Sequence, residues 1–176
     1  MTFFKEKLKN IKGFIFDVDG VLSMDTSPLD ENGDPVRTAN IKDGFAIRYA
    51  LLNGFQMAII TGANTQRVKL RYEKLGVEHI YLNCFNKTEF LEEILLKMNL
   101  TADEILYMGD DLVDLNIMKQ IGVPVCPLDA VPEIKAVSLY ISDRKGGEGC
   151  VRDVIEQVMR SQGKWMGQEV RNLKAD

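Results

Sequence analysis

The chain has 176 residues, of which 45% are hydrophobic and 27% charged, and a net charge of −4. That is enough apolar material for the core of one domain. The acidic balance, with no long basic run, argues against a nucleic-acid binder, and no apolar stretch approaches the roughly 20 residues of a membrane span.

The first residues, "MTFFKEKLKN", lack the apolar run and cleavage site of a signal peptide, so a cytoplasmic protein is expected. Short apolar runs then alternate with helix-like segments. Strands are predicted at 11–18, 55–60, 79–83, 105–109, 123–126 and 138–142. Helices are predicted at 43–53, 64–75, 87–98, 112–121 and 148–161. In the helix at 64–75, Val68, Tyr72 and Leu75 keep helical spacing, Asn64 or Thr65 is a candidate cap, and Gly76 marks the end. This alternation predicts an α/β fold: a Rossmann-like, doubly wound parallel sheet with right-handed crossovers.

Residues 23–44 break the rhythm. They carry no helical pattern but contain "DENGD", with the turn-forming pair Asn32-Gly33. A β-hairpin of about 23–42 is expected here. Its polar arms need something to pack on, such as another subunit. The tail, about 163–176, is polar and holds the only tryptophan, Trp165. It reads either as a frayed terminus or as an arm that Trp165 anchors elsewhere. Cys84, Cys126 and Cys150 show no C-x-x-C spacing and read as buried thiols in a reducing compartment.

In an open parallel sheet, ligands gather outside the carboxyl ends of the strands. Four predicted strand ends there deliver chemistry: Asp17 and Asp19; Thr61 and Gly62; Asn86 and Lys87; Asp110, Asp111 and Asp114. Taken singly, an aspartate at such a place is a turn former and a lysine is solvated. The single histidine, His79, has no partner for a Ser/His or Cys/His nucleophile system. The constellation carries the information. Carboxylates brought together repel unless a cation lies between them, and all-oxygen ligation suits Mg²⁺. A carboxylate is a competent nucleophile toward phosphorus. Lys87, the Thr61 hydroxyl and backbone N–H groups near Gly20 and Gly62 supply donors for a phosphoryl group. A second carboxylate, two residues beyond the nucleophile, would protonate the leaving oxygen and then activate water.

The segments "FDVDGVL", Thr61-Gly62, Lys87 and "GDDLVD" (109–114) resemble, in order, the four motifs of the haloacid dehalogenase-like phosphatases. The resemblance implies Asp17 as nucleophile and metal ligand, and Asp19 as general acid/base that binds metal through its backbone carbonyl. It further implies Thr61 and Lys87 as phosphoryl-holding groups, Asp110 as the third metal contact, and weaker roles for Asp111 and Asp114. The intervals from Asp17 to Thr61 and from Lys87 to Asp110 leave no room for a cap domain, so the chain looks like the capless branch. Within it, "DENGD", "IKDGFAI" (41–47) and "RKGGEGCVRDVIE" (144–156) are similar to the phosphatases of phosphorylated 3-deoxy-ulosonic acids. That likeness implies a small sugar-acid phosphate as substrate and a homotetramer whose hairpins associate. Neighbouring subunits would then cover each active site, and Arg71, with Lys74 and Lys69 as weaker candidates, would reach the substrate carboxylate of a neighbour. Ala63, where nine-carbon enzymes tend to carry an acid, favours an eight-carbon sugar over a nonulosonate 9-phosphate. A non-catalytic scaffold of the same fold is the remaining alternative.

Overall fold

In the computed structural model, residues 4–166 are described. Six strands form one sheet: β1 (Gly13–Phe16), β2 (Gln56–Ile60), β3 (His79–Tyr81), β4 (Ile105–Met108), β5 (Val123–Cys126) and β6 (Tyr140–Ile141). Their order is β3-β2-β1-β4-β5-β6, and every pairing is parallel. The helices are α1 (Phe4–Lys7), α2 (Ile41–Leu52), α3 (Gln66–Lys74), α4 (Thr88–Met98), α5 (Leu115–Met118), α6 (Pro132–Val137) and α7 (Cys150–Ser161).

The sequence "GFIF" makes the central strand because its residues are covered on both faces, which leaves no use for polar alternation. Phe14 and Phe16 point into a core with residues of α2, α3 and α7. Ile15 points the other way, into a core with α4, α5 and α6. The expected doubly wound architecture is therefore present. The chain runs outward from β1 to β3, then returns to β4 on the other side. This reversal places the topological switch point between the carboxyl ends of β1 and β4.

Local chemistry sets the ends of the helices. Asn40 caps α2, its side chain accepting from the N–H groups of Lys42 and Asp43 at 2.9 and 3.3 Å, so the helix begins two residues before the predicted start. At the end of α3, Gly76 N–H donates to Glu73 at 2.9 Å and Val77 N–H to Tyr72 at 3.0 Å. That pair of bonds with Gly76 at φ 94° is a Schellman closure, which ends the helix where the glycine predicted. The predicted helix at 112–121 is broken into a 3-10 turn (Leu112–Asp114) and the short α5.

Between β1 and α2 the hairpin is present but small. Asp30 and Asp34 close it through a 2.9 Å bond, and Leu29 bridges Pro35. The turn is not the two-residue Asn-Gly type. Gly33 alone of the pair has positive φ (83°), and its N–H donates to Asp30. Glu31, Asn32 and Gly33 thus form a three-residue loop with a glycine bulge. The Asp30 carboxylate braces it by accepting from the N–H groups of Asn32 and Asp34.

Trp165 is buried on its own chain, edge-on to Tyr49 at 5.5 Å and 86°. The guanidinium groups of Arg152 and Arg160 lie 5.4 and 5.9 Å from its ring. It pins the chain after α7 against α2, so this part of the tail is not a frayed end. The remainder of the tail, 167–176, lies outside the described residues. The three cysteine thiols are buried and unpaired, as the sequence suggested.

Candidate active site

Three strand ends build a charged cluster at the switch point. Asp17 follows β1 and is almost wholly buried. Its Oδ1 accepts from Val18 N–H at 2.6 Å and lies 2.9 Å from Lys87 Nζ. Lys87 stands just before α4, and its side chain is only 1% exposed. The same ammonium donates to Asp114 Oδ1 at 2.6 Å. Asp114 is fully buried and also accepts from the Tyr107 hydroxyl at 2.5 Å and, through Oδ2, from Asp110 N–H at 3.1 Å. Lys87 is therefore a bridge between two buried carboxylates. Tyr107 and the backbone of Asp110 tie Asp114 to the end of β4.

The electrostatics follow from this crowding. Burial, then the neighbouring Asp114 charge, push the Asp17 carboxyl up to about 7 even though Lys87 opposes the shift. Burial, then repulsion by Asp17 and Asp114, push Asp110 up to about 8. Burial alone pushes the Lys87 amine down, but Asp17 and Asp114 outweigh it and hold the group above its ordinary range, as a cation. Burial, then Asp114, hold the Tyr107 hydroxyl protonated and donating.

Asp17, Asp110 and Asp114 each offer an oxygen within 4.8 Å of the others. Three carboxylates against one ammonium leave two negative charges when all are ionised, the complement of a divalent cation. Among the described residues nothing donates to Asp17 Oδ2 or to either Asp110 side-chain oxygen, whereas both Asp114 oxygens are occupied. The free oxygens make Asp17 and Asp110 the side chains suited to hold a metal. Asp114 is suited to hold Lys87. A hard, oxygen-only donor set fits Mg²⁺.

Thr61 leaves β2 at the same edge, since Phe16 pairs with Ile59. It is buried, and its hydroxyl oxygen accepts from Ala63 N–H at 3.1 Å. Gly20, at φ 75°, backs directly onto the Asp110 carboxylate; a β-carbon there would collide with it. Gly62 lies beneath the exposed ring of Phe85. Asp111 caps the 3-10 turn by accepting from Leu112 N–H and is exposed.

The Asp19 carboxylate is not free: Arg37 Nε and Nη2 donate to its two oxygens at 2.8 and 2.9 Å. Arg71 lines a cleft of about 750 Å³ on its own chain, between the hairpin and α3, together with Val18, Arg37, Ala63 and Arg67. Its guanidinium lies over Gly44, where a side chain would crowd it. Lys74 is exposed and does not line that cleft. Arg37 and Tyr107 were not singled out from sequence. Arg37 sits in a segment without pattern, and Tyr107 is one apolar-looking position within a buried strand.

The fold and this cluster define a class, and the chain belongs to the haloacid dehalogenase-like hydrolases, whose family model matches residues 79–154. Within that class it is 36% identical over 158 residues to the 3-deoxy-D-manno-octulosonate 8-phosphate phosphatase KdsC of Salmonella typhi, covering 90% of this chain and 84% of that one. The crystal structure of the Yersinia pestis phosphatase of the same name matches with a TM-score of 0.89 and 32% identity, over 93% of this chain and 89% of that one. The Moraxella catarrhalis enzyme, solved with a magnesium ion, a phosphate ion and KDO, matches with a TM-score of 0.89 and 29% identity, over 97% and 98% of the two chains. No helix among the described residues is long and apolar enough to cross a membrane.

Proposed function

We propose that this chain is a Mg²⁺-dependent phosphoric monoester hydrolase that converts 3-deoxy-D-manno-octulosonate 8-phosphate to KDO and phosphate. The observation that carries the reading is the Asp17–Lys87–Asp114 bridge beside Asp110 at the switch point. It presents one carboxylate whose second oxygen is open, fixed by a buried cation. The names of the relatives, and the ligands of the Moraxella catarrhalis enzyme, supply the substrate class.

In this reading the Asp17 carboxylate attacks phosphorus through one oxygen and the bond to the sugar oxygen breaks, leaving an aspartyl-phosphate. Asp19, released from Arg37 and protonated, gives its proton to the departing sugar oxygen, then takes one from the water that attacks phosphorus, and Asp17 is regenerated. Lys87, the Thr61 hydroxyl and the N–H groups around Gly20 and Gly62 stabilise the equatorial oxygens. Asp17, Asp110 and the Asp19 backbone carbonyl would hold Mg²⁺, which supplies charge neutralisation at the phosphoryl group.

The protein acts in the cytoplasm as a single-domain, capless homotetramer. Supporting the association of hairpins are the exposed Met24, Leu29, Val36 and Ile41, apolar side chains on or beside a hairpin with little core of its own. A second reading, a nonulosonate 9-phosphate phosphatase, is disfavoured by Ala63. Ala63 lines the cleft and offers no side-chain hydrogen bond to a longer polyol. Comparing kcat/KM for the eight- and nine-carbon substrates with Mg²⁺ tests the choice. A higher value for the eight-carbon acid is expected; a higher value for the nine-carbon acid overturns it.

A further inference from the structure

Arg37 is unlike the other cations of the cleft. Its side chain is 15% exposed, although it comes from the base of a polar, solvent-facing hairpin. Its Nε and Nη2 form a two-point fork on the Asp19 carboxylate, and Nη1 donates to Pro35 O at 3.2 Å. A guanidinium has five N–H groups, so two remain beyond these three bonds. Arg37 also lines the cleft of about 750 Å³, which it shares with Arg67 and Arg71. Val18 lines it too, so the cleft opens beside the backbone between Asp17 and Asp19. The guanidinium thus faces an open volume on one side and holds a half-exposed carboxylate on the other.

We propose that Arg37 is a specificity residue which exchanges its Asp19 partner for the carboxylate of the substrate. The exchange replaces one fork-and-carboxylate pair with another, so no buried charge is left uncompensated. The outgoing Asp19 carboxylate is 48% exposed and is met by solvent as it leaves. A sugar phosphate without a carboxylate offers nothing in return and leaves the Arg37–Asp19 pair closed. Acidic substrates are then preferred for a reason built into one subunit, in addition to any contribution from a neighbouring one. Planarity matters: a lysine at this position keeps the charge but cannot reproduce the two-point geometry.

This inference rests on the sugar-acid phosphatase reading, and the experiment separates the two. Wild type, Arg37→Gln and Arg37→Lys, each checked for fold by circular dichroism and thermal melting, are assayed with Mg²⁺ on KDO 8-phosphate and on mannose 6-phosphate, which lacks a carboxylate. In wild type a preference for the acid supports the functional reading; its absence overturns that reading. The ratio of kcat/KM for acid over neutral sugar is expected to fall about tenfold or more in Arg37→Gln, mainly through KM of the acid, the size of one lost charge-assisted contact. Arg37→Lys is expected to recover part of the ratio. General damage lowers both substrates together and leaves the ratio standing. An unchanged ratio, in a wild type that prefers the acid, overturns the role of Arg37 alone.

Discussion

Replacing Lys87 by methionine tests the bridge at the heart of the site. The substitution keeps most of the length and apolar volume and removes the ammonium, with its charge and its N–H donors. In the native protein that charge lies 2.9 Å from Asp17 and 2.6 Å from Asp114, with the side chains of all three groups at most 6% exposed. Taking one partner from a buried ion pair costs about 3–5 kcal/mol, because the other charges are left without compensation. For a domain of this length each kcal/mol moves the melting temperature by roughly 2–4 °C, so a drop of roughly 6–20 °C is expected.

The loss depends on pH in a determined direction. Asp17 and Asp110 already have folded values, about 7 and about 8, above the unfolded carboxylate range, and without Lys87 Asp17 rises further. The folded state then binds more protons than the unfolded one, so stability is present at low pH and is lost as pH rises through the folded values. Melts of Lys87→Met and wild type in EDTA across pH 6 to 9 provide the assay. The deficit should be smallest at pH 6 and largest at pH 9. Adding Asp114→Asn to Lys87→Met should return part of the lost stability, since one uncompensated charge is removed. A Lys87→Met protein that melts within about 2 °C of wild type at pH 8 would refute the argument that the bridge holds the site together.

The same carboxylates link metal binding to pH. Mg²⁺ held by Asp17 and Asp110 would compete with protons there, so its affinity should rise from pH 6 to about 8 and then level, by up to about tenfold per pH unit for each proton displaced. Calorimetric titration of Mg²⁺ at several pH values checks this; an affinity independent of pH contradicts it. Trp165→Ala removes a ring packed on Tyr49 between two arginines, and should cost about 3 kcal/mol or somewhat more. Denaturant unfolding reads that value, and a loss below about 1 kcal/mol would mean that the ring does not pin the chain.

The sheet was legible because its strands are buried on both faces and therefore apolar along their length, as in "GFIF" and "ILYM". The site was legible because its side chains leave the strands at the carboxyl edge, where topology collects them. The short helices α1 and α6 escaped, having too few residues to show a period, although Pro132 at the first helical position was a usable signal. The hairpin was legible from "DENGD" but its turn type was not, because that stretch permits both two- and three-residue loops, and the Asp30 carboxylate selects the longer by bonding two backbone N–H groups. The weight carried by Asp114 was underestimated. Its importance comes from Lys87 and Tyr107, partners 27 and 7 residues away that only the fold brings near. The Arg37 fork escaped for the same reason. It joins the end of a strand to the base of a hairpin 18 residues on, and no periodicity encodes that distance.

The proposed role of Asp17 as nucleophile can be read by trapping. An acyl phosphate is reduced by borohydride to an alcohol, which converts the aspartate that carried it into homoserine. Enzyme turning over KDO 8-phosphate with Mg²⁺ would be quenched in borohydride, digested and sequenced by mass spectrometry. The account predicts homoserine at position 17, dependent on both substrate and Mg²⁺. Turnover without any reduced residue, or with reduction at Asp19, Asp110 or Asp114 instead, would contradict it.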